Sequence, residues 1–195
     1  CAAECPFKRY TANPGSTYIS RTYYLRNGGT KPFREVTKEA IILAGGFGTR
    51  LKGVIQHIPK PMAPVAGKPF LEYLINDLVV QGFSKLVLST GYKGEVIEEH
   101  FGSQFKSLEI DYANEEKPLG TGGAIKFAAQ KLESDEVFVL NGDSFIQVDF
   151  NEFQNCCTEN KSDIGLVVKT MYGFDRYGTL SMSYENKRVL NFNEK

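Results

Sequence analysis

Buried-strand and helix patterns alternate along residues 39–170, and this alternation limits the possible folds more than any other feature of the chain. Continuous apolar runs occur at 40–44, 86–88, 137–140 and 164–168. A run that alternates apolar and polar residues lies at 108–112. Continuous apolar runs are typical of strands covered on both faces. The β-α-β-α order therefore predicts an α/β fold with a mostly parallel central sheet and helices on both sides.

Helical periodicity fills the intervals between these runs. The clearest helix is predicted over 69–81, where apolar residues recur on one face, Pro69 suits the first helical position and Gly82 suits the stop. Weaker helical patterns cover 94–100, 122–132 and 150–158. From residue 163 onward the pattern changes to short strands, at 163–170, 178–183 and 188–194. Because ligands of parallel sheets bind beyond the carboxyl ends of the strands, we expect the site at loops 45–51, 89–93 and 141–144.

Composition excludes several classes of protein. The 195 residues suffice for one α/β domain with a sizeable core, and an apolar content of 42% indicates a globular chain. A formal net charge of zero argues against a dedicated nucleic-acid binder. Residues 1–38 nevertheless carry seven basic and two acidic residues, against 16 basic and 21 acidic in 39–195. This shift predicts a boundary near residue 38, with 1–38 as the tail of another domain, a sheet extension or a loosely ordered arm.

The cysteines and the hydropathy pattern favour a cytoplasmic protein. Cys1, Cys5 and the adjacent pair Cys156-Cys157 have no zinc spacing, so we expect free thiols in a reducing compartment. The sequence shows no signal-peptide pattern and no apolar stretch long enough to span a bilayer. We therefore expect no membrane partner.

A glycine-rich turn follows the first predicted strand. Gly45, Gly46 and Gly48 free the backbone N–H groups to form an anion-binding concavity, and Arg50 adds a fork-shaped charge suited to phosphate oxygens. A Walker A loop is absent, and a dinucleotide fingerprint fails because its third glycine position is Leu51. A turn used only for packing is the structural alternative. The pattern favours phosphate binding of another type.

A proline-rich segment comes next and holds Lys60 between two prolines. Three prolines in six residues predict a stiff, extended segment, in which the lysine ammonium can be aimed by the backbone. The alternative is an exposed lysine in a proline-rich loop. We interpret His57 as structural or exposed.

Two further motifs complete the candidate site. Gly120, Thr121 and Gly122 lie where a loop runs into a helix, which suits a nucleobase edge or a phosphate. Asp143 follows a buried strand, where a hard cation would be held beside phosphates. The alternative for Asp143 is a cap of the next turn. A single carboxylate needs phosphate oxygens, water and a further acidic residue to complete a magnesium site. The sequence contains no Ser/His/Asp set, and Cys156-Cys157 lacks an evident base, which argues against a nucleophile supplied by the protein.

These motifs resemble the sugar-1-phosphate nucleotidyltransferase family, whose order they follow across 39–195. The matching segments are LAGGFGTRL at 43–51, PKPMAPVAGKP at 59–69, PLGTGGA at 118–124 and NGD at 141–143. The resemblance implies a Rossmann-like, three-layer fold of the GT-A type. It also implies attack of a sugar 1-phosphate on a nucleoside triphosphate with the aid of Mg²⁺, in cytoplasmic synthesis of nucleotide sugars for lipopolysaccharide, capsule or S-layer. Relative to the family we expect the chain to be C-terminally truncated, because the family continues with further strands and a second metal-binding aspartate.

The resemblance also implies residue roles. The nucleotide would be bound by Leu43, Ala44, Gly45, Gly46, Gly48, Thr49, Gly120, Thr121 and Gly122. Arg50 would hold the leaving pyrophosphate, and Lys60 the triphosphate or the attacking phosphate. Asp143 would bind Mg²⁺. The sugar phosphate would be bound by Asn141, Gly142, Glu194 and Lys195.

Several alternatives stay open at this point. The base and the sugar are not fixed, because guanylyl-, cytidylyl-, thymidylyl- and uridylyltransferases share much of the pattern. A non-catalytic, nucleotide-sugar-binding regulatory subunit would keep the fold, but it predicts loss of Arg50, Lys60 or Asp143, and all three are present. A molybdopterin-type nucleotidyltransferase also begins with an LAGG loop but fits the later motifs poorly. We expect a nucleoside triphosphate and a sugar 1-phosphate as partners, no nucleic acid, and either a monomer or a homo-oligomer.

Overall fold

The structure is a computed structural model that describes residues 17–26, 37–46, 58–170, 179–183 and 188–193, with only the backbone at 17–26 and 170. In chain order, the strands are β1 (Thr17–Arg26), β2 (Lys38–Leu43), β3 (Pro64–Val65), β4 (Lys68–Pro69), β5 (Phe83–Thr90), β6 (Gln104–Phe105), β7 (Leu108–Asn114), β8 (Glu136–Asn141), β9 (Ile164–Thr170), β10 (Thr179–Met182) and β11 (Val189–Asn193). The helices are α1 (Phe70–Val80), α2 (Gly94–Phe101), α3 (Gly120–Ala129) and α4 (Phe150–Glu159).

Four parallel strands form the middle of the sheet, in the order β8-β2-β5-β7. Each contains one of the predicted apolar or alternating runs, so the predicted strands and the mostly parallel central sheet are confirmed. The flanking strands are antiparallel: β6 extends the sheet beyond β7, and β10 and β11 form its other edge. β3 and β4 form a separate two-stranded hairpin.

The helices cover both faces of the sheet, as predicted. One core cluster joins α1, α2 and α4 to the strand residues Ala40, Ile42, Leu86, Leu88, Phe138 and Leu140. The other joins α3 to the alternate strand residues Ile41, Val87, Val137 and Val139. Successive side chains of a strand point to opposite faces. The continuous apolar runs therefore supply both clusters at once.

The start and the buried face of helix α1 follow from its sequence. It begins after Pro69, and its buried face carries Leu71, Leu74, Ile75 and Leu78, three or four residues apart. The observed bounds confirm the helix predicted over 69–81. None of the helices in the described parts of the chain has the length and apolarity needed to span a bilayer.

The N-terminal strand β1 takes part in the main sheet. It pairs antiparallel with β8, β9 and β10, so it lies between the parallel strands and the strand-rich last part of the chain. Of the alternatives considered for 1–38, a sheet extension describes Thr17–Arg26. The boundary near residue 38 stays a prediction.

Candidate functional site

The strand order reverses between β2 and β8, and this reversal places a crevice at their carboxyl ends. From β2 the chain proceeds to β5 and β7 by way of α1 and α2 on one face, then returns through α3 on the other face to β8. Ligands of open α/β sheets bind at such a switch point. The predicted loops after β2 and β8 both end at this crevice.

Gly142 lets these two loops meet. Its N–H donates to the carbonyl of Leu43 at 2.9 Å. A Cβ at this position would lie 3.0 Å from that carbonyl oxygen and 3.3 Å from a methyl group of Ile42. The residue that precedes Asp143 is therefore glycine because the backbone of β2 occupies the space of a side chain.

Lys60 and Asp143, which are 83 residues apart, form an ion pair at the crevice. The lysine Nζ donates to Oδ2 of the aspartate, and Ser144 Oγ donates to Oδ1 at 3.1 Å. The two paired side chains are 39% and 38% exposed. A cation and an anion are thus held together where solvent, and hence a phosphate ligand, can reach them.

The backbone around Lys60 differs from the predicted extended segment. Lys60–Met62 forms a 3-10 turn, in which Met62 N–H donates to Pro59 O at 2.8 Å and Ala63 N–H donates to Lys60 O at 3.1 Å. The prediction was wrong here because the φ that proline imposes also fits a helical turn. Pro61 and Met62 are buried. The turn therefore anchors the segment and leaves the lysine ammonium at the surface.

The start of the glycine-rich turn packs against the loop after β5. Ala44 N–H donates to Ser89 O at 2.8 Å, and a Cβ at Gly91 would lie 3.1 Å from the carbonyl oxygen of Gly45. Gly45 is similarly confined, whereas a Cβ at Gly46 would have no described atom within 4 Å. Gly45 thus serves close packing, whereas no described atom confines Gly46.

Glu115, just after β7, links the two glycine-rich loops. Its Oε1 accepts a hydrogen bond from Ser89 Oγ at 3.0 Å, and its Oε2 accepts one from Leu119 N–H at 2.9 Å. The same Oε1 lies 3.3 Å from the Cβ position of Gly45. Sequence reasoning missed this residue. The only local signal was an acidic residue at the end of a strand, and it stands in a run of charges that is typical of a solvated surface.

The second glycine-rich loop opens α3. Gly120 has φ +69°, a left-handed conformation that favours glycine, and the helix begins there, two residues before the predicted start at 122. A Cβ at Gly122 would have no described atom within 4 Å. The N-cap residue Leu119 has no side chain that can accept from the helix, and the first N–H groups of an α-helix have no partner within the helix. Such a terminus suits a nucleobase edge or a phosphate.

The structure describes eleven of the predicted site residues and brings most of them to the crevice. Described are Leu43, Ala44, Gly45, Gly46, Lys60, Gly120, Thr121, Gly122, Asn141, Gly142 and Asp143. Gly48, Thr49, Arg50, Glu194 and Lys195 lie outside the described residues, as does His57. The predicted free thiols of Cys156 and Cys157 are confirmed, and Cys157 is buried.

The donor set around Asp143 is suited to a weakly held hard cation. Among the residues that the structure describes, no group of three or more His, Cys, Asp or Glu side chains could hold a metal ion. Mg²⁺ commonly binds through one or two carboxylates, substrate phosphates and water. The exposed carboxylate of Asp143 fits that pattern and would not bind Mg²⁺ tightly alone.

A switch-point crevice with two glycine-rich loops and a lysine–aspartate pair defines an α/β protein that binds phosphate ligands. The family model described as "Nucleotidyl transferase" matches residues 39–195, and the chain belongs to this family. The predicted family resemblance and fold class are thereby confirmed.

Several characterised proteins are similar to this chain. D-glycero-alpha-D-manno-heptose 1-phosphate guanylyltransferase of Campylobacter jejuni is 47% identical over 157 residues, which cover 80% of this chain and 68% of that protein. The protein of the same name from Aneurinibacillus thermoaerophilus is 45% identical, over 80% and 67%. Mannose-1-phosphate guanylyltransferase of Mycobacterium tuberculosis is 37% identical, over 80% and 44%.

Solved structures agree with these sequence relations. The crystal structure of HddC from Yersinia pseudotuberculosis complexed with GMP-PN superposes with a TM-score of 0.64 at 33% identity. The match covers 82% of this chain and 70% of HddC. The likeness therefore extends over most of this chain.

Proposed function

We propose that this protein transfers a guanylyl group from GTP to D-glycero-α-D-manno-heptose 1-phosphate, giving GDP-heptose and pyrophosphate in the cytoplasm. The class of reaction follows from membership of the nucleotidyltransferase family. The choice of substrates is supported by two heptose 1-phosphate guanylyltransferases at 47% and 45% identity. A mannose 1-phosphate activity is the alternative that the relative at 37% identity favours.

The observation that carries the proposal is the meeting of Lys60 and Asp143 beside the glycine-rich turn. A regulatory subunit that only binds nucleotide sugars would use a cation for the diphosphate of its ligand, but it has no need of a carboxylate beside that cation. A protein that brings two phosphorylated ligands together needs both. The pair therefore favours an enzyme.

The reaction needs alignment and charge neutralisation more than proton transfer. An oxygen of the sugar 1-phosphate forms a bond to the α-phosphorus of GTP, and the bond to the β-phosphate bridge oxygen breaks, so that pyrophosphate leaves with the electron pair. A phosphate monoester has a second pKa of about 6, so the nucleophile is already anionic at neutral pH. The barrier comes from repulsion between the two anions and from the in-line geometry of attack.

The residues of the crevice can supply both requirements. The Lys60 ammonium would move from Asp143 to a phosphate oxygen and offset the charge that accumulates as the anions meet. Gly46 and the first turn of α3 would offer backbone N–H groups to the nucleotide. Arg50 would hold the leaving pyrophosphate. Asp143 would hold Mg²⁺, which when bound draws negative charge from the phosphates.

Pyrophosphate release with a matrix of substrates tests the proposal. Each of GTP, ATP, CTP and UTP is combined with heptose, mannose and glucose 1-phosphates in the presence of Mg²⁺. We expect the highest kcat/KM for GTP with the heptose. Release with GTP and mannose 1-phosphate alone would replace the sugar assignment. The absence of release with every pair, in a protein that still binds a nucleotide sugar, would instead support the regulatory subunit.

A further inference from the structure

We infer that β1 holds the two-stranded ribbon of β10 and β11 beside the crevice and thereby positions the end of β11 for the sugar 1-phosphate. This rests on the proposed function, because it concerns the second substrate of that reaction. β1 spans Thr17–Arg26, whereas the family match begins at residue 39. The sheet therefore contains a strand from outside the part of the chain that the family model matches.

The two edges of β1 pair with different strands. β9 pairs with both ends of β1, at 17–19 and at 23–25. The same two ends also pair with β10, at Thr17 and Tyr18, and with β8, at 23–26. Because a strand has two edges, β8 and β10 lie one after the other along the edge opposite β9. Within the described sheet, the order β11-β10-β1-β8 thus joins the ribbon to the parallel strands through β1.

The direction of β1 places the ribbon at the carboxyl end of β8. β1 runs antiparallel to β8, and Tyr23 is paired with Val139. From this pair β8 continues over 140 and 141, whereas β1 continues in the same direction over 17–22. β10 pairs with the far end of this extension. The ribbon therefore lies on the side of the sheet where Asp143 follows β8.

The register carries this placement across to the end of β11. Asn193 is paired with Thr179, which is paired with Tyr18 of β1. Asn193 Nδ2 also donates to Thr179 Oγ1 at 3.4 Å. The next residues in the sequence are Glu194 and Lys195, for which the family resemblance implies contacts with the sugar phosphate. β1 thus sets the position of the last described residue before them.

Proline at two adjacent positions of β1 separates its two edges. Opposite residues of an antiparallel pair of strands alternate between hydrogen-bonded and non-hydrogen-bonded pairs. One of Thr17 and Tyr18 therefore bonds to β10, and the other bonds to β9. Proline removes the N–H donor of the residue that it replaces. One of Thr17→Pro and Tyr18→Pro thus weakens the attachment of the ribbon, and the other is its matched control.

We expect one of the two variants to raise KM for the heptose 1-phosphate roughly 3-fold to 10-fold, the factor that corresponds to one lost hydrogen bond. Its KM for GTP should stay unchanged. Hydrogen exchange, measured by mass spectrometry, should rise in β10 and β11 of the same variant and not in β2. The same KM for the sugar 1-phosphate in the two variants would overturn the inference, as would unchanged exchange of the ribbon in both.

A disulfide tests the same contact if the proline variants do not fold. Opposite Cα atoms of antiparallel strands lie about 4.5–5.5 Å apart, which a disulfide can span. Tyr18→Cys combined with Thr179→Cys should cross-link on mild oxidation, as detected by peptide mass, and should keep the KM values of the wild type. Tyr18→Cys combined with Ser181→Cys is out of register and is the control. Equal cross-linking of the two combinations, or none in either, would overturn the inference.

Calorimetry distinguishes this inference from the proposed function, because binding needs no turnover. The heptose 1-phosphate is titrated into each proline variant in the presence of Mg²⁺ and a non-hydrolysable analogue of GTP. A weaker affinity for the sugar phosphate in one variant alone would support the inference even if no pyrophosphate were released. Turnover of GTP and the heptose 1-phosphate with the same KM in both variants would contradict the inference and leave the proposed function intact.

Discussion

Two carboxylates at opposite ends of the parallel strands make similar hydrogen bonds in different surroundings. Glu39, near the amino end of β2, is 4% exposed, and one of its oxygens accepts from the backbone N–H groups of Glu133 and Ser134 at 2.8 and 2.9 Å. Glu115, beyond the carboxyl end of β7, is half-buried, and its Oε1 lies 3.3 Å from the Cβ position of Gly45. Each ties together segments that are distant in the sequence.

The difference lies in what else each carboxylate can contact. Glu39 is enclosed, so its hydrogen bonds can only stabilise the fold. Glu115 and Asp143 lie at the carboxyl ends of the strands, where a ligand can approach. The amino ends of the strands are therefore expected to govern stability, and the carboxyl ends to govern turnover.

The largest expected effect is on turnover at the carboxyl ends of the parallel strands. Lys60→Met keeps the length of the side chain but removes the charge that would face the phosphates. We expect kcat/KM for pyrophosphate release to fall about 100-fold to 1,000-fold, the usual loss when one group that stabilises transition-state charge is removed. Lys68→Met is the matched control, because Lys68 of the β3-β4 hairpin is exposed and pairs with Glu72 of α1. Similar rates in the two variants would refute the assignment of Lys60.

The second-largest expected effect is on the stability of the fold near the amino ends of the parallel strands. Phe150 is fully buried and packs edge-to-face against Phe83 and Phe138, with ring centroids 5.1 and 5.2 Å apart. Phe150→Ala should lower the free energy of unfolding by about 3–5 kcal/mol, measured by urea denaturation. Phe145→Ala is the control, since its ring is 52% exposed, and it should change stability by about 0.5 kcal/mol at most. Equal losses would contradict this description of the core.

Glu39→Ala tests the comparison directly. It leaves two backbone N–H groups without their acceptor, so we expect the free energy of unfolding to fall by about 2 kcal/mol. The kcat/KM of the folded protein should stay unchanged, in contrast to Lys60→Met. A large loss of turnover in a variant that is as stable as the wild type would contradict the assignment of stability to the amino ends of the strands and of turnover to their carboxyl ends.

The smallest effect concerns the reactivity of Cys157. Burial first, and then Cys156 and Glu136, raise the pKa of its thiol to about 12. Little thiolate is present at pH 8, so we expect native Cys157 to resist alkylation by iodoacetamide, as detected by mass spectrometry. It should react fully once the chain is unfolded in urea. Rapid alkylation of the native protein would show that α4 is not packed as described.

The central sheet could be predicted because its strands carry their signal locally. Ile41 and Ile42 are both fully buried, one on each face, so the apolar run marks a strand without knowledge of its partners. The pairing of β1 carries no such signal. In the backbone register, Tyr24 is paired with Phe138 and Ile19 with Val168, so this pairing depends on segments far along the chain.

The candidate site likewise has some features that could be predicted from the sequence and others that could not. Asp143 and the glycine-rich turn could be predicted because each follows a recognisable buried strand. The pairing of Asp143 with Lys60 depends on the 3-10 turn, whose prolines also fit an extended chain. Glu115 could not be recognised, because its role in linking the loops depends on Ser89, 26 residues away.

The position of β1 in the sheet has a consequence for synthesis of the protein. Thr17–Arg26 is translated before the other described strands, whereas β8, the first of its partners, begins about 110 residues later (136 − 26) and is followed by β9 and β10. At translation rates of about 5–20 residues per second, β1 waits on the order of ten seconds for β8. During this interval the backbone groups of a ten-residue strand have no sheet to join. Nascent chains are therefore expected to need protection by chaperones until the strands that receive β1 have emerged.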